Sequence, residues 1–303
     1  MRKSALLSLS IIFLFAAKAF ALFDASFWGV RAMGMGGAFT AVSDDVNAPG
    51  YNIAGIAGME SPEVTAMSAK LFSGLDGLDM SAQYIEGVYP ISKKAGSVAL
   101  GWSHFGDAGL RSEDMVNLGY ANNVYKNDWI KLLLGANLKY LRQAVMYMGD
   151  DLSNSAFGID LGVLARFKHG ISVGYSGKYL NSPDIGLKDT DNVPRTNTVG
   201  LAYYNEKLPY LDIPHFTVAM DYEIRDSENT LMLGMESRLI NDTLAVRAGG
   251  WSEQLNFGLG YKLKFGKDEK NNSALSIDYA LGLPLKVQDT IGSHFFSLSY
   301  RFN

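Results

Sequence analysis

The chain has 303 residues, of which 48% are hydrophobic and 19% charged, and a formal net charge of −4. It contains no cysteine, which excludes disulfides, thiolate metal sites and thiol nucleophiles. No long run of like charge offers a footprint for nucleic acid, and 32 Gly, 16 Tyr and 16 Phe lean towards β structure.

Arg2 and Lys3 precede an apolar run, Ala5–Ala17, and a small-x-small triplet, Ala19–Ala21. That is the layout of a secretory signal peptide. The run is shorter than the ~20 residues that a helical bilayer span needs, so residues 1–21 are expected to be cleaved rather than kept as an anchor. No cysteine follows for lipid attachment, and no later stretch is apolar enough for a membrane helix.

Next comes "RAMGMGGAFTAVSDD", Arg31 to Asp45. As a dinucleotide loop it fails, because the third glycine of G-x-G-x-x-G falls on Phe39 and no βαβ unit surrounds it. Asp44 and Asp45 are adjacent, which in most conformations points them apart, while His104, His169, His215 and His294 are scattered. No cofactor, metal or catalytic site is expected, and the chain does not read as an enzyme. Small residues let one backbone approach another closely, and Phe27, Trp28, Phe39, Val42 and Ile53 argue against a disordered leader. Residues 22–61 are therefore expected to form a compact plug, with Arg31, Gly34, Gly36, Gly37, Phe39 and Asn52 as its packing residues.

From residue 63 onward the pattern is alternation. "QLNFGLGYKLKF" (Gln254 to Phe265) puts Leu255, Phe257, Leu259, Tyr261, Leu263 and Phe265 on one side and Asn256, Gly258, Gly260, Lys262 and Lys264 on the other. Period two means a strand with one apolar face. About fourteen such segments follow one another: 63–71, 80–90, 95–104, 113–121, 129–141, 155–166, 171–179, 196–204, 213–223, 230–239, 244–249, 254–265, 273–282 and 292–302. Most have the ~10-residue length of a tilted membrane strand. The first alternates poorly, and Leu133 strays onto the polar side of its segment.

Connections after odd-numbered segments, such as "RQAVMYMGDDLSNS" and "LNSPDIGLKDTDNVPR", run longer than those after even-numbered ones, such as "ISKK" and "INDT". Outer-membrane barrels pair long outside loops with short periplasmic turns. The expected fold is all-β: one antiparallel transmembrane barrel spanning 62–303, apolar face to lipid and polar face to the lumen. A secreted β-sandwich is the alternative. A barrel of this size has a lumen that its own wall side chains do not fill, since only about eight strands achieve that.

On this parity the lumen carries Lys131, Lys139, Arg166, Lys178, Arg238, Arg247, Lys262, Lys264 and Arg301 against Asp160, Asp221, Glu223, Glu236 and Asp278. The basic tilt suits either an anionic headgroup or ion pairs with the plug. The closing "FFSLSYRFN" places Phe296, Leu298, Tyr300 and Phe302 on one face, which resembles the C-terminal signal read by the outer-membrane assembly machinery; Asn303 after the last aromatic departs from it.

Trp28 to Met59 resembles the N-terminal signature of the FadL-like outer-membrane proteins, with the closest likeness to the PorV/PorQ group. Members of that group typically run Arg-Ala-x-Gly-Met-Gly-Gly-Ala-Phe-Thr-Ala-Val and then two aspartates. Tyr51, Asn52, Ala54 and Gly55 continue the match, but Ile53 stands where the family has proline. The resemblance implies fourteen strands, an N-terminal plug and outer-membrane lipid as surroundings. It also implies one of two functions: passage of small hydrophobic or amphipathic molecules, or an accessory role in secretion that receives an exported protein at the cell surface. Val145, Met146, Tyr147 and Met148, in an expected outside loop, are candidates for loose apolar contact with a ligand, though they could equally extend the barrel wall.

Overall fold

The computed structural model describes residues 28–77, 79–107, 111–147, 150–208, 213–226, 228–265 and 273–303. The expected signal peptide (1–21), residues 22–27, Met148 and the side chain of Tyr147 lie outside the described residues. Fourteen strands follow a short helical segment. They are β1 (Glu63–Ser73), β2 (Met80–Ser92), β3 (Gly96–Asp107), β4 (Arg111–Lys126), β5 (Ile130–Tyr147), β6 (Asp150–Phe167) and β7 (Ile171–Lys178). The second half comprises β8 (Thr196–Leu208), β9 (Ile213–Arg225), β10 (Glu228–Leu239), β11 (Leu244–Trp251), β12 (Gln254–Phe265), β13 (Ser273–Pro284) and β14 (Gly292–Arg301). Each pairs with its sequence neighbours, and β14 closes on β1 from Glu63↔Arg301 to Ser73↔Gly292.

Closure removes both sheet edges, so the ladder has no exposed row of unpaired amides. The outward face is apolar on strand after strand. Leu255, Phe257, Leu259 and Tyr261 of β12 are 45–56% exposed, while the intervening Gln254, Asn256, Gly258 and Gly260 are buried. Val199 and Leu201 of β8 and Leu231, Leu233 and Met235 of β10 continue this belt. Soluble monomers rarely expose contiguous apolar area beyond a few hundred Å²; a belt around a closed barrel belongs in hydrocarbon, where only helices and closed barrels satisfy their backbones.

One expected loop is strand. The segment read as "RQAVMYMGDDLSNS" continues the β5–β6 hairpin to Tyr147↔Asp150, giving two strands of 18 residues. Val145 and Met146 accordingly sit in β5, half-buried and exposed respectively, and Tyr147 is its last residue. β4 supports the extension on its other side as far as Arg111↔Val145. The polar run looked like a loop, but a hairpin standing clear of the bilayer needs no apolar face. By contrast, the connection 179–195 is long and folds inward: Tyr179, Ile185 and Val193 are each 2% exposed. It is tied to β6 by Asn181, whose Nδ2 donates to the Phe157 carbonyl at 2.7 Å, and by Asn154 Nδ2 donating to the Gly186 carbonyl at 2.7 Å.

The segment before β1 lies inside the barrel. Helix α1 (Val30–Gly34) packs on β11–β14. Helix α2 (Ala48–Tyr51) leads into the 3-10 turn η1 (Ile53–Gly58), which packs on β2–β6. Wall glycines make room for it. A Cβ on Gly135 (β5) would stand 2.9 Å from the Ala54 nitrogen, one on Gly174 (β7) 2.5 Å from the Thr40 carbonyl, and one on Gly258 (β12) 2.9 Å from Gly34 Cα. Gly162, Gly200, Gly234 and Gly249 meet the same inner segment in the same way. The glycines that alternate with outward apolar residues are thus a seat for a second backbone.

Leu133 is explained by the same contact. It is fully buried, points inward and packs with Leu164 and Ala54. Burying such a side chain stabilises the docked segment by about 2 kcal/mol.

Gly174→Val separates the two layers. Valine suits a strand interior, so the barrel should keep its heat-modifiable gel mobility, while the clash with Thr40 should expose residues 28–61 to limited proteolysis. Continued protection of that segment would contradict the seating described here.

Candidate functional site

The inner segment is held by a buried ionic cluster. Arg31 of α1 forms a two-pronged pair with Glu236 of β10, Nε to Oε2 at 2.8 Å and Nη2 to Oε1 at 2.9 Å. Its Nη1 donates to Asp44 at 2.5 Å and Asp45 at 2.9 Å. Glu236, fully buried, also accepts from Arg247 at 2.6 Å and Arg238 at 3.1 Å, and Arg247 reaches Asp278 at 2.6 Å. Burial by itself lowers the Arg31 pKa, but Asp44, Glu236 and Asp45 raise it well above the ordinary guanidinium value. Burial by itself likewise pushes the Asp44 carboxyl up, and Arg31 and Arg238 more than reverse this, holding it below the usual carboxylate range.

Other lumen charges also hold the segment. Asp221 of β9 accepts from the Phe39 and Thr40 amides at 2.9 and 2.8 Å. Arg166 of β6 donates to the Ser43 carbonyl at 3.1 Å. Asn52 links three parts at once: Nδ2 donates to the Thr40 and Val163 carbonyls at 3.0 and 2.9 Å, while Oδ1 accepts from the Ala54 amide at 3.2 Å. Ile53, where the resemblance expects proline, packs its Cδ1 over Gly119. Phe39 is buried, with the Arg31 guanidinium 5.1 Å from its ring centroid.

Gly34, Gly36 and Gly37 sit where α1 ends. Gly36 and Gly37 have φ of 65° and 76°, a region that side chains disfavour. A Cβ on Gly34 would lie 3.0 Å from Gly258 Cα, and one on Gly36 would strike the backbone of Gly249 and Gly250.

The lumen is not polar throughout. Met67 and Leu71 of β1, Met80 of β2, Met115 of β4, Leu141 of β5 and Phe295 of β14 point inward and form one apolar body. Trp28, Met33, Met35 and Phe39 join it from the inner segment, and Tyr179, Ile185 and Val193 close it from the 179–195 connection. This is why β1 alternated poorly: from Met67 onward its inward residues are apolar, while Ser68 and Lys70 are exposed. Trp28 meets Tyr84 edge-on at 5.1 Å. Burial pushes the Tyr179 phenol up to about 12, so it is neutral here, lying beneath the Lys139 ammonium at 4.4 Å.

The alternation pattern did not single out three inward carboxylates, Glu63, Glu86 and Glu113, all buried. Parity with the outward Ile85 would have assigned Glu86. Among the described residues no group of three His, Asp or Glu is placed to hold a metal. Phe296 and Leu298 on the closing strand and Phe302 just beyond it are 44–47% exposed, and Tyr300 packs edge-on against Phe302 at 4.7 Å.

No sequence-family model and no curated protein matches this chain. Solved structures do. The CymD monoaromatic hydrocarbon channel matches with a TM-score of 0.61 at 13% identity, over 93% of this chain and 98% of that one. A Pseudomonas aeruginosa FadL homologue gives 0.59 at 13% over 91% and 98%. A deltaS2 mutant of the TodX monoaromatic hydrocarbon channel gives 0.58 at 12% over 93% and 100%. At these identities the likeness is one of fold: a FadL-like, closed fourteen-strand barrel.

Glu236→Ala removes the acceptor shared by three guanidiniums, and breaking such a buried set costs about 3–5 kcal/mol. Arg31→Ala should loosen the inner segment by a comparable amount, because Asp44 and Asp45 lose the same donor. Protease accessibility of residues 28–61 across a urea series reads both; an unchanged midpoint in either folded variant would contradict the cluster geometry. Because the Asp44 pKa is lowered in the folded state, its contribution is complete above the ordinary carboxylate range and is lost as pH falls through the depressed value. The Asp44-dependent part of that protection, read as the difference between wild type and Asp44→Asn, should therefore be flat between about pH 8 and pH 5; a step in that difference would contradict the pairing.

Proposed function

We propose that this chain is an outer-membrane channel of FadL type that binds and passes small hydrophobic or amphipathic molecules, with residues 1–21 as its export signal and 22–61 as its plug. The observation that carries this reading is the apolar body inside the lumen. A barrel built only to conduct polar solutes has no use for inward Met67, Met80, Met115 and Leu141. Methionine is unbranched and polarisable, and it repacks around ligands of varied shape. The solved structures of similar fold include two described as monoaromatic hydrocarbon channels.

In this reading a hydrophobic molecule enters from the end capped by the 179–195 connection and exchanges against the methionine side chains. The ionic cluster around Arg31 keeps the plug seated while the chamber fills. Passage towards the opposite end, where β1 begins and β14 finishes, then requires the plug to yield along its Arg31–Glu236 contact. The closing Phe296, Leu298, Tyr300 and Phe302 serve insertion by the assembly machinery rather than transport. PorV/PorQ kinship and a role in receiving a secreted protein would place function at the outer rim instead of the chamber.

Uptake of labelled toluene or decanoate into liposomes carrying the protein tests the reading. Wild type should accelerate uptake, and Met115→Asp should reduce it by about tenfold or more, since an unpaired carboxylate in an apolar site costs several kcal/mol. Heat-modifiable mobility confirms that the variant barrel is folded. Well-folded wild type without uptake would overturn the channel reading and leave the rim-based role to be tested by capture of a secreted domain.

A further inference from the structure

On the side of the inner segment facing away from the apolar body lies a cavity of about 140 Å³, between Asp44–Asn47 and the wall of β10–β14. It reaches Asp242 and Thr243 in the β10–β11 turn, so it opens at the end of the barrel where β1 begins and β14 finishes. Ten charged side chains line it, and most are paired. Arg31 holds Asp44 and Asp45, Arg247 holds Asp278, and Arg301 holds Glu63. Arg238 lies 3.8 Å from Asp44 and 3.1 Å from Glu236, and Asp242, at the rim, lies 3.7 Å from His215 and 4.0 Å from Lys264.

Lys262 of β12 is the exception. Among the described residues its ammonium makes neither a hydrogen bond nor an ion pair; the charges acting on it are the guanidiniums of Arg301, Arg238 and Arg31 and the Glu63 carboxylate, which Arg301 already holds. Beside it in the wall stand two hydroxyls in one lateral row: Lys262 is in register with Ser276, and Ser276 with Ser299. Ser299 is held by Thr65 at 2.8 Å. An ammonium facing guanidiniums across a cavity, flanked by hydroxyl donors, lacks an oxyanion. The volume suits one, being well above the roughly 10–15 Å³ that a cavity needs to hold one water.

We propose that this cavity binds a phosphate or carboxylate group, free or as the head of an amphiphile, with Lys262 as its charge partner and Ser276 and Ser299 as hydroxyl donors. The ligand's charge completes the row that the wall leaves open, and its entry is from the terminal end, independent of the apolar chamber. The site stands on its own geometry and not on the channel reading.

Calorimetry on the full chain in an uncharged detergent tests it, with octyl phosphate and octanol as matched probes. Any apolar binding elsewhere is common to both probes; the phosphate-dependent part is what Lys262 supplies. Wild type should bind octyl phosphate about tenfold more tightly than octanol, the scale of one charge-assisted hydrogen bond. Inorganic phosphate should compete for that excess if the head alone is recognised, and should fail to compete if the alkyl chain is required. Lys262→Gln should abolish the difference between the probes and Lys262→Arg should retain it. Equal binding of the two probes by wild type, or an unchanged difference in a folded Lys262→Gln variant, would overturn the proposal. Should Lys262→Gln not fold, the wild-type comparison decides by itself.

Discussion

Everything in this architecture follows from the rule that peptide groups in hydrocarbon must find partners within the protein. An isolated strand cannot meet it, and neither can an open sheet, whose edges would stay unpaired. Pairing of Glu63–Ser73 with Gly292–Arg301 meets it by joining the first strand to the last. Once the sheet closes, alternation has a fixed meaning: one set of side chains faces lipid and the other faces an interior. An even number of strands also brings both ends of the barrel to one side.

Closure creates a second problem, since fourteen strands enclose more space than their inward side chains fill. The chain fills it with its own N-terminal segment, and two kinds of contact hold that segment. Wall glycines such as Gly135, Gly174 and Gly258 let backbone meet backbone, and the Arg31–Glu236–Arg247 cluster fixes its orientation. Buried ion pairs add little net stability, because desolvation offsets most of their attraction. Their value here is positional, since a guanidinium shared among Glu236, Asp44 and Asp45 defines one seat. The interior is thereby divided into a charged half beside the start of β1 and the end of β14 and an apolar, methionine-rich half beneath the 179–195 connection. The fold places a hydrophobe-friendly volume and an ion-friendly volume on opposite sides of one short segment.

Much of this could be read from the residues. About fourteen strands and most of their outward faces follow from period two, because lipid enforces the alternation on nearly every strand. The anomalies were informative too: Leu133 marks where the wall touches Ala54, and the weak alternation of β1 marks the apolar interior. The long β5–β6 hairpin was missed because, beyond the bilayer, polarity no longer distinguishes strand from loop. Burial of Ile185 and Val193 was missed because a connection of mostly polar residues with four scattered aliphatics reads as surface. The ionic cluster was visible only as a basic tilt. Which cation meets which carboxylate depends on how strands adjacent in space, such as β10 and β11, align with a segment some 200 residues away, and no local pattern encodes that.

The absence of cysteine makes the inside-out assignment open to site-directed spin labelling in lipid vesicles. Single cysteines at Leu259 and Val199, both outward, should carry labels that relax with oxygen dissolved in the bilayer and not with a water-soluble nickel chelate. A label at Ala38, in the inner segment, should be shielded from both. Outward labels that relaxed with the nickel chelate, or an Ala38 label open to it, would contradict a closed barrel with its apolar face in lipid and its N-terminal segment sealed within.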